Sequence, residues 1–260
     1  MTGLKETEPV TAAATRLEAP PAMDVARRVA SVVAAAGVCL TLDDRHILQD
    51  IELEVPAGGT VALLGANGAG KSTLLKVLAT LLRPSAGRLC LFGGDVGPHA
   101  AKLRSRIGLI SHQPMLYRDL SVLENLVFFG RLYGVPGPRE RAEALLEHVG
   151  MAHRADDAVK TLSRGLTQRA AIARALMHDP DLLLADEPFD GLDAGSAAAL
   201  EALLTRLRAG GKTLILSNHD IRQALALTDR TVVLRRGRVV LDRPSRELTP
   251  DAVLKEIVGP

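Results

Sequence analysis

The chain has 260 residues, 47% of them hydrophobic, and a formal net charge of +2. That length suits one large α/β domain, or one domain with an inserted lobe, with ample residues for a core. The small net charge makes no bulk electrostatic case for nucleic acid or an anionic membrane, and 2% aromatics with no Trp argue against base-stacking platforms.

Residues 1–28 mix Thr, Ala, Glu and Pro without a sustained period and read as a mobile extension ahead of a domain over 29–260. Arg27-Arg28 before an apolar run is the pattern of a secretory or twin-arginine signal. The pair lies far into the chain, acidic residues precede it, and the run is too short to span a bilayer. A strand explains it better, with Val32, Ala34, Ala36, Val38, Leu40 and Leu42 at period two. After the Asp43-Asp44 turn, Ile51, Leu53 and Val55 alternate with Asp50, Glu52 and Glu54, which suggests a half-exposed antiparallel strand. Cys39 and Cys90 lie in strand-like runs, form no C-x-x-C pair and read as buried thiols of a reducing compartment.

Pro56-Ala57-Gly58-Gly59 turns the chain into a buried strand over 60–64. Gly65-Ala66-Asn67-Gly68-Ala69-Gly70-Lys71-Ser72-Thr73 then matches G-x-x-x-x-G-K-[ST], followed by a helix over 74–78. The glycines let backbone N–H groups turn inward around phosphate oxygens, and the helix N-terminus adds partial positive charge. Lys71 can reach the β- and γ-phosphates, and the Ser72 hydroxyl can ligate Mg²⁺. The strand–loop–helix setting separates this reading from a chance glycine-rich turn.

Strands over 87–92 and 107–110 follow, the second running into Ser111-His112-Gln113-Pro114. From about 114 to 178 the pattern turns helical, with helices over 121–133, 139–149 and 166–177. This reads as an all-helical lobe inserted in an α/β core. Gln113 stands at its entrance, where a neutral amide could contact Mg²⁺ or the attacking water. Ser163 and Gly165 open the last helix and make a second anion site at a helix N-terminus. An ordinary Ser N-cap is the alternative.

The core resumes with an apolar strand over 182–185, as in a parallel sheet buried on both faces, ending in Asp186-Glu187. Beside a phosphate loop, Asp186 would hold Mg²⁺ through water, and Glu187 would orient or deprotonate the attacking water. A helix over 194–208, a buried strand over 213–216, strand-like runs over 231–234 and 239–241, and a helix over 251–257 complete the chain. Parallel strands deliver their C-terminal ends to one sheet edge, so His219 belongs near the γ-phosphate. His46, His99, His112, His148, His153 and His178 show no such placement and no metal-ligand spacing. No segment is long and apolar enough to span a membrane, so a membrane role calls for an integral partner.

Taken in order, the phosphate loop, Gln113, Leu162-Ser163-Arg164-Gly165-Leu166, Asp186-Glu187 and His219 resemble the ATP-binding subunit of an ABC transporter, from about residue 32 to the end. Asp190-Gly191-Leu192-Asp193 is similar to that family's D-loop, with Asp193 the matching aspartate. The resemblance implies a P-loop NTPase core of the ABC ATPase type: a mixed, mostly parallel sheet, an antiparallel β subdomain and the helical lobe. It implies hydrolysis of MgATP to ADP and phosphate, coupled to transport. It also implies a homodimer or heterodimer of nucleotide-binding subunits, in which Ser163 and Gly165 of one chain complete the site built by Lys71, Ser72, Asp186, Glu187 and His219 of the other. Integral membrane permease subunits and a peripheral place on the cytoplasmic face of the inner membrane follow from the same resemblance.

Two departures stand out. The family signature usually reads Leu-Ser-Gly-Gly-Gln, whereas Arg164 replaces its first glycine and Leu166 its Gln. Leu42 stands where the family often stacks adenine on an aromatic ring. The runs over 111–117, 123–129 and 132–134, with the Ser-Arg-Gly variant, are most similar to the haem-exporter ATPase of cytochrome c maturation. Such features also occur in exporters of drugs, lipids or polysaccharides. A soluble, non-transport ABC ATPase, as in iron–sulfur assembly, is the competing class. Independently of family, Tyr117, Phe128, Phe129 and Tyr133 fall together just after Gln113, and helical spacing puts Phe129 and Tyr133 on one face. They either line a groove for a cytoplasmic helix of a transmembrane subunit or fill the lobe's own core.

Overall fold

Two sheets organise the computed structural model, which describes residues 31–259. The expected extension over residues 1–28 lies outside the described residues. The chain runs β1 (Ser31–Leu42), β2 (Arg45–Pro56), β3 (Thr60–Leu64), α1 (Lys71–Leu78), β4 (Ala86–Leu91), β5 (Gly94–Asp95), α2 (Val96–Arg104) and β6 (Ile107–Ile110). It continues through α3 (Val122–Leu132), α4 (Pro138–His148), α5 (Arg164–Leu176), β7 (Leu182–Asp186), α6 (Ala194–Ala209), β8 (Thr213–Ser217), α7 (Ile221–Leu227), β9 (Arg230–Arg235), β10 (Arg238–Pro244) and α8 (Pro250–Val258).

The first sheet has the order β2-β1-β4-β5 and is antiparallel. The second has the order β10-β9-β3-β8-β7-β6, parallel from β9 to β6, with β10 antiparallel at the edge. Every residue of β3, β6, β7 and β8 is buried, which is why these strands read as continuous apolar runs rather than alternations. Their shared direction brings the phosphate loop after β3, the loop after β6, Asp186-Glu187 and His219 to one edge of the sheet.

The antiparallel sheet corrects one expectation. In β2, Ile51, Leu53 and Val55 are buried and Asp50 and Glu52 are exposed, as alternation requires. In β1, Val33 and Ala35 are buried alongside Val32 and Ala34, Ala36 is half-buried, and Leu42 is exposed. Register shifts between Ala35 and Val38, and again between Val38 and Leu40, interrupt the two-residue period.

Helices α3, α4 and α5 lie between β6 and β7 and share a core that includes Leu126, Leu146, Met151 and Ala170. Ser121 and Glu124 form a capping box that starts α3. Two side chains from the end of the lobe grip β6: Arg174 Nη2 donates to Leu109 O at 2.5 Å, and His178 Nε2 lies 3.0 Å from Ile107 O. Helices α2 and α7 and strand β5 were not legible as elements. Helix α2 opens with Val96-Gly97-Pro98, which reads as loop, and α7 has only 7 residues.

Candidate nucleotide site

The phosphate loop is wedged against its neighbours. At Gly65, where φ is 149°, an added Cβ would sit 2.3 Å from the Leu234 carbonyl oxygen of β9. Ala69 O accepts from Gly237 N at 3.0 Å, so the β9–β10 turn braces the loop from behind. Ala66, Asn67 and Gly68 form the exposed crown, while Ala69, Gly70 and Lys71 are buried. Lys71 Nζ donates to Gly65 O at 2.7 Å and Ala66 O at 3.2 Å. Burial pushes the Lys71 ammonium below its usual pKa, while the Glu187 and then the Asp186 carboxylates pull it back up. Ser72 and Thr73 follow on the first turn of α1, half-buried.

Asp186 ends β7 and is 7% exposed. Its orientation is set from the next strand. Ser217 Oγ donates to Asp186 Oδ1 at 2.8 Å and accepts from Glu187 N at 2.9 Å, as their parallel register allows. Ser217 was not singled out from sequence, although it adjoins Asn218 and His219. Glu187 has φ of 51°, in the left-handed region that a non-glycine residue enters at a cost of about 1–3 kcal/mol, a strain typical of functional sites. Its Oε2 lies 2.8 Å from His219 Nε2.

A cleft of about 160 Å³ joins these residues to the lobe. Asp186, Glu187 and Asp190 form one side, Leu162, Arg164, Thr167 and Gln168 another, and His112 and Pro114 a third. Gln113 is exposed between those two, and its carbonyl accepts from Ser111 Oγ at 2.6 Å. The structure therefore brings the loop after β6 to the carboxylates, with His112 rather than Gln113 facing the cleft. His112, unassigned from spacing, comes within 4.8 Å of Glu187 and Asp190, ligand atom to ligand atom. His219 and Arg164 already engage those two carboxylates. For Mg²⁺, the chain offers the Ser72 hydroxyl and an Asp186 carboxylate oriented by Ser217, hard oxygen donors of the kind that ion takes.

Other expected residues sit apart from the phosphate loop. Ser163 is the N-cap of α5, its Oγ accepting from Leu166 N at 3.4 Å, and Gly165 packs against Gly191. Asp193 is the N-cap of α6. The backbone N–H of Ser196, then its hydroxyl, hold the Asp193 carboxyl below the usual carboxylate range. Among the described residues, these three make their contacts within the lobe and the segment after β7. The aromatic group divides. Tyr117, Phe128 and Phe129 form one cluster, with ring centroids 5.1 to 6.3 Å apart, whereas Tyr133 stacks on His178 at 4.0 Å. Tyr117 and Phe128 are exposed, and Leu42 is 41% exposed.

Comparison with known proteins agrees with this geometry. A family model described as ABC transporter matches residues 48–190. The Nod factor export ATP-binding protein I of Cupriavidus metallidurans is 37% identical over 83% of this chain and 72% of its own length. The ABC transporter ATP-binding protein NatA of Bacillus subtilis is 38% identical over 74% of this chain and 80% of its own. Among solved structures, a dimeric post-hydrolysis ATP-binding cassette, MJ0796, bound to ADP and Pi, superposes with a TM-score of 0.77 at 28% identity, over 82% of this chain and 99% of that one. The fold is that of an ABC ATPase, and the chain belongs to the ABC transporter family as an ATP-binding subunit.

Proposed function

We propose that the chain hydrolyses MgATP to ADP and phosphate and that hydrolysis drives export through integral membrane permease subunits. The contact between Glu187 and His219, beside a buried Asp186 and within the field of Lys71, carries this reading. In it, residues 65–73 enclose the phosphates and Lys71 turns its ammonium to the β- and γ-phosphate oxygens. Ser72 and Asp186 would hold Mg²⁺, which would neutralise phosphate charge; Gln113, exposed beside the cleft, would join them only if the loop after β6 turned its amide inward. Glu187 orients a water and accepts its proton as the water oxygen bonds to the γ-phosphorus and the bond to the β-phosphate oxygen breaks. His219 fixes the Glu187 carboxylate and faces the γ-phosphate.

Ser163 and Gly165 lie on the lobe rather than beside their own phosphate loop, so they fit a shared site in which each chain completes its partner's. The dimeric cassette among the structural relatives supports that arrangement. Asp193 then faces the partner at the same seam. Opening and closing would reach the permease through the exposed Tyr117 and Phe128 beside Gln113. No helix among the described residues is long and apolar enough to cross a membrane, which suits a peripheral subunit on the cytoplasmic face.

Several relatives are named for Nod factor export and one, 40% identical over 90% of this chain, for phosphonate import; export is adopted on the greater number of the former. One motif observation favours haem as cargo: the 111–117 run together with Ser163-Arg164-Gly165. The relatives' names point to other cargoes, so export is the reading adopted and haem the second. Phosphate release from MgATP tests hydrolysis: Glu187→Gln should abolish it, and turnover at the wild-type rate would remove Glu187 from the role. Isolating native membranes and identifying the co-purifying permease tests the transport assignment. A chain recovered with no membrane partner would favour the soluble class.

A further inference from the structure

Arg164 departs from the family signature, and the structure gives its guanidinium a partner. Arg164 is the first residue of α5, and its Nη2 lies 2.5 Å from Asp190 Oδ2. The stem of the same side chain runs over Gly191, where φ is 74° and an added Cβ would sit 3.1 Å from Arg164 Cδ. Gly165 approaches the same residue: a Cβ there would be 3.2 Å from the Gly191 carbonyl oxygen. One turn on, Gln168 Nε2 donates to Pro188 O at 3.3 Å, and Arg169 pairs with Asp193 at 3.4 Å. Positions 164, 165, 168 and 169 share one helix face, and that face lies along residues 188–193.

The facing segment is tied to the hydrolytic carboxylate. Asp190 N donates to Glu187 O at 3.1 Å, so Asp190 belongs to the turn that carries Glu187. We propose that Arg164 and Asp190 form an intrachain latch that keys the Ser163–Gly165 turn to the Glu187 turn. The proposal rests on the shared-site reading. Under that reading Ser163 and Gly165 face the partner's nucleotide and Glu187 the chain's own, so the latch links one site's geometry to what the chain presents at the other. Arg164 is thus a positioning residue that acts through Asp190. Both side chains are largely exposed, 67% and 41%, and an exposed pair adds little to fold stability. Its removal should leave the fold intact and alter alignment.

A double-mutant cycle on dimer formation tests this. The parent is Glu187→Gln in saturating MgATP, with Arg164→Ala, Asp190→Ala and the double substitution, read by sedimentation equilibrium. Each single change should weaken the dimer about fivefold, and the double change no more than either single, because one interaction is lost in all three. Binding of a fluorescent ATP analogue to the monomer and the thermal midpoint should not move. Singles that dimerise as tightly as the parent, or losses that multiply in the double variant, would overturn the latch. So would a loss confined to Arg164→Ala, which would mean that Arg164 contacts the partner's phosphate itself. A parent that stays monomeric would instead remove the shared-site reading, and the latch with it.

Discussion

His219 Nε2 stands 2.8 Å from Glu187 Oε2, across the tips of two adjacent parallel strands. The Glu187 carboxylate is 18% exposed and the imidazole 56%, so the pair sits at the cleft mouth with the carboxylate innermost. Among the described residues, no hydrogen bond or ion pair joins His219 to the phosphate loop. Its loss should therefore affect the chemical step more than ATP binding. For His219→Ala, kcat should fall about 100-fold, with KM for ATP within about threefold of wild type. A steady-state phosphate-release assay over a range of ATP concentrations separates the two. A raised KM with unchanged kcat would mean that His219 only helps to hold nucleotide.

The phosphate loop depends on close backbone approach at residue 65. A methyl group there would meet Leu234 O at 2.3 Å, against backbone that has no rotamer to yield. Gly65→Ala should cost about 2–4 kcal/mol in urea unfolding and weaken ATP binding through a displaced loop. A variant as stable as wild type would show that β9 does not press on the loop as described.

Much of this site could be read from the sequence because its parts lie at strand ends. Lys71, Asp186, Glu187 and His219 each follow a continuous apolar run, and a parallel sheet sends such ends to one edge. What the sequence did not reveal depends on side-chain packing across elements. Ser217, which orients Asp186 and Glu187, looks like an ordinary strand-end serine until β7 and β8 are in register. The division of the aromatics, with Tyr133 on His178 instead of beside Phe129, depends on where α5 ends. In β1, register shifts hide the buried face from any periodicity argument.

His178 sets a pH dependence for the lobe–core joint. Its ring is stacked on Tyr133, Nε2 lies 3.0 Å from Ile107 O, and buried Nδ1 has no partner. Burial holds its pKa below the usual imidazole value. The Ile107 carbonyl opposes that shift, Arg174 and Lys212 add to it, and Asp179 opposes it. The unfolded chain binds this proton below about pH 6.5, before the folded chain does. Stability from this group is thus full above about pH 6.5 and declines as pH falls toward the depressed folded pKa. Thermal midpoints measured from pH 7.5 to 5 should fall less steeply in His178→Gln, which keeps a donor for Ile107 O. Equal slopes would remove His178 from the account.

Asn125 is fully buried and holds the aromatic loop to α3. Its Oδ1 accepts from Tyr117 N at 2.7 Å, while Nδ2 donates to Tyr117 O at 3.0 Å and Ser121 O at 2.9 Å. Asn125→Ala leaves Tyr117 N without its acceptor and removes the Nδ2 bonds, and should cost about 1–3 kcal/mol. The chain has no Trp and only 2 Tyr, so in a Tyr133→Phe background tyrosine fluorescence reports on this loop through Tyr117 alone. An unchanged spectrum and unchanged stability would show that Asn125 is not its anchor.

Under the proposed function, two chains close around ATP and Glu187 then drives its hydrolysis. The most direct measurement is the sedimentation mass of Glu187→Gln with and without MgATP, set beside its rate of phosphate release. A doubling of mass that requires MgATP, with phosphate release lost, is the predicted result. A chain that stays monomeric at saturating MgATP, or that hydrolyses ATP at the wild-type rate, would contradict it.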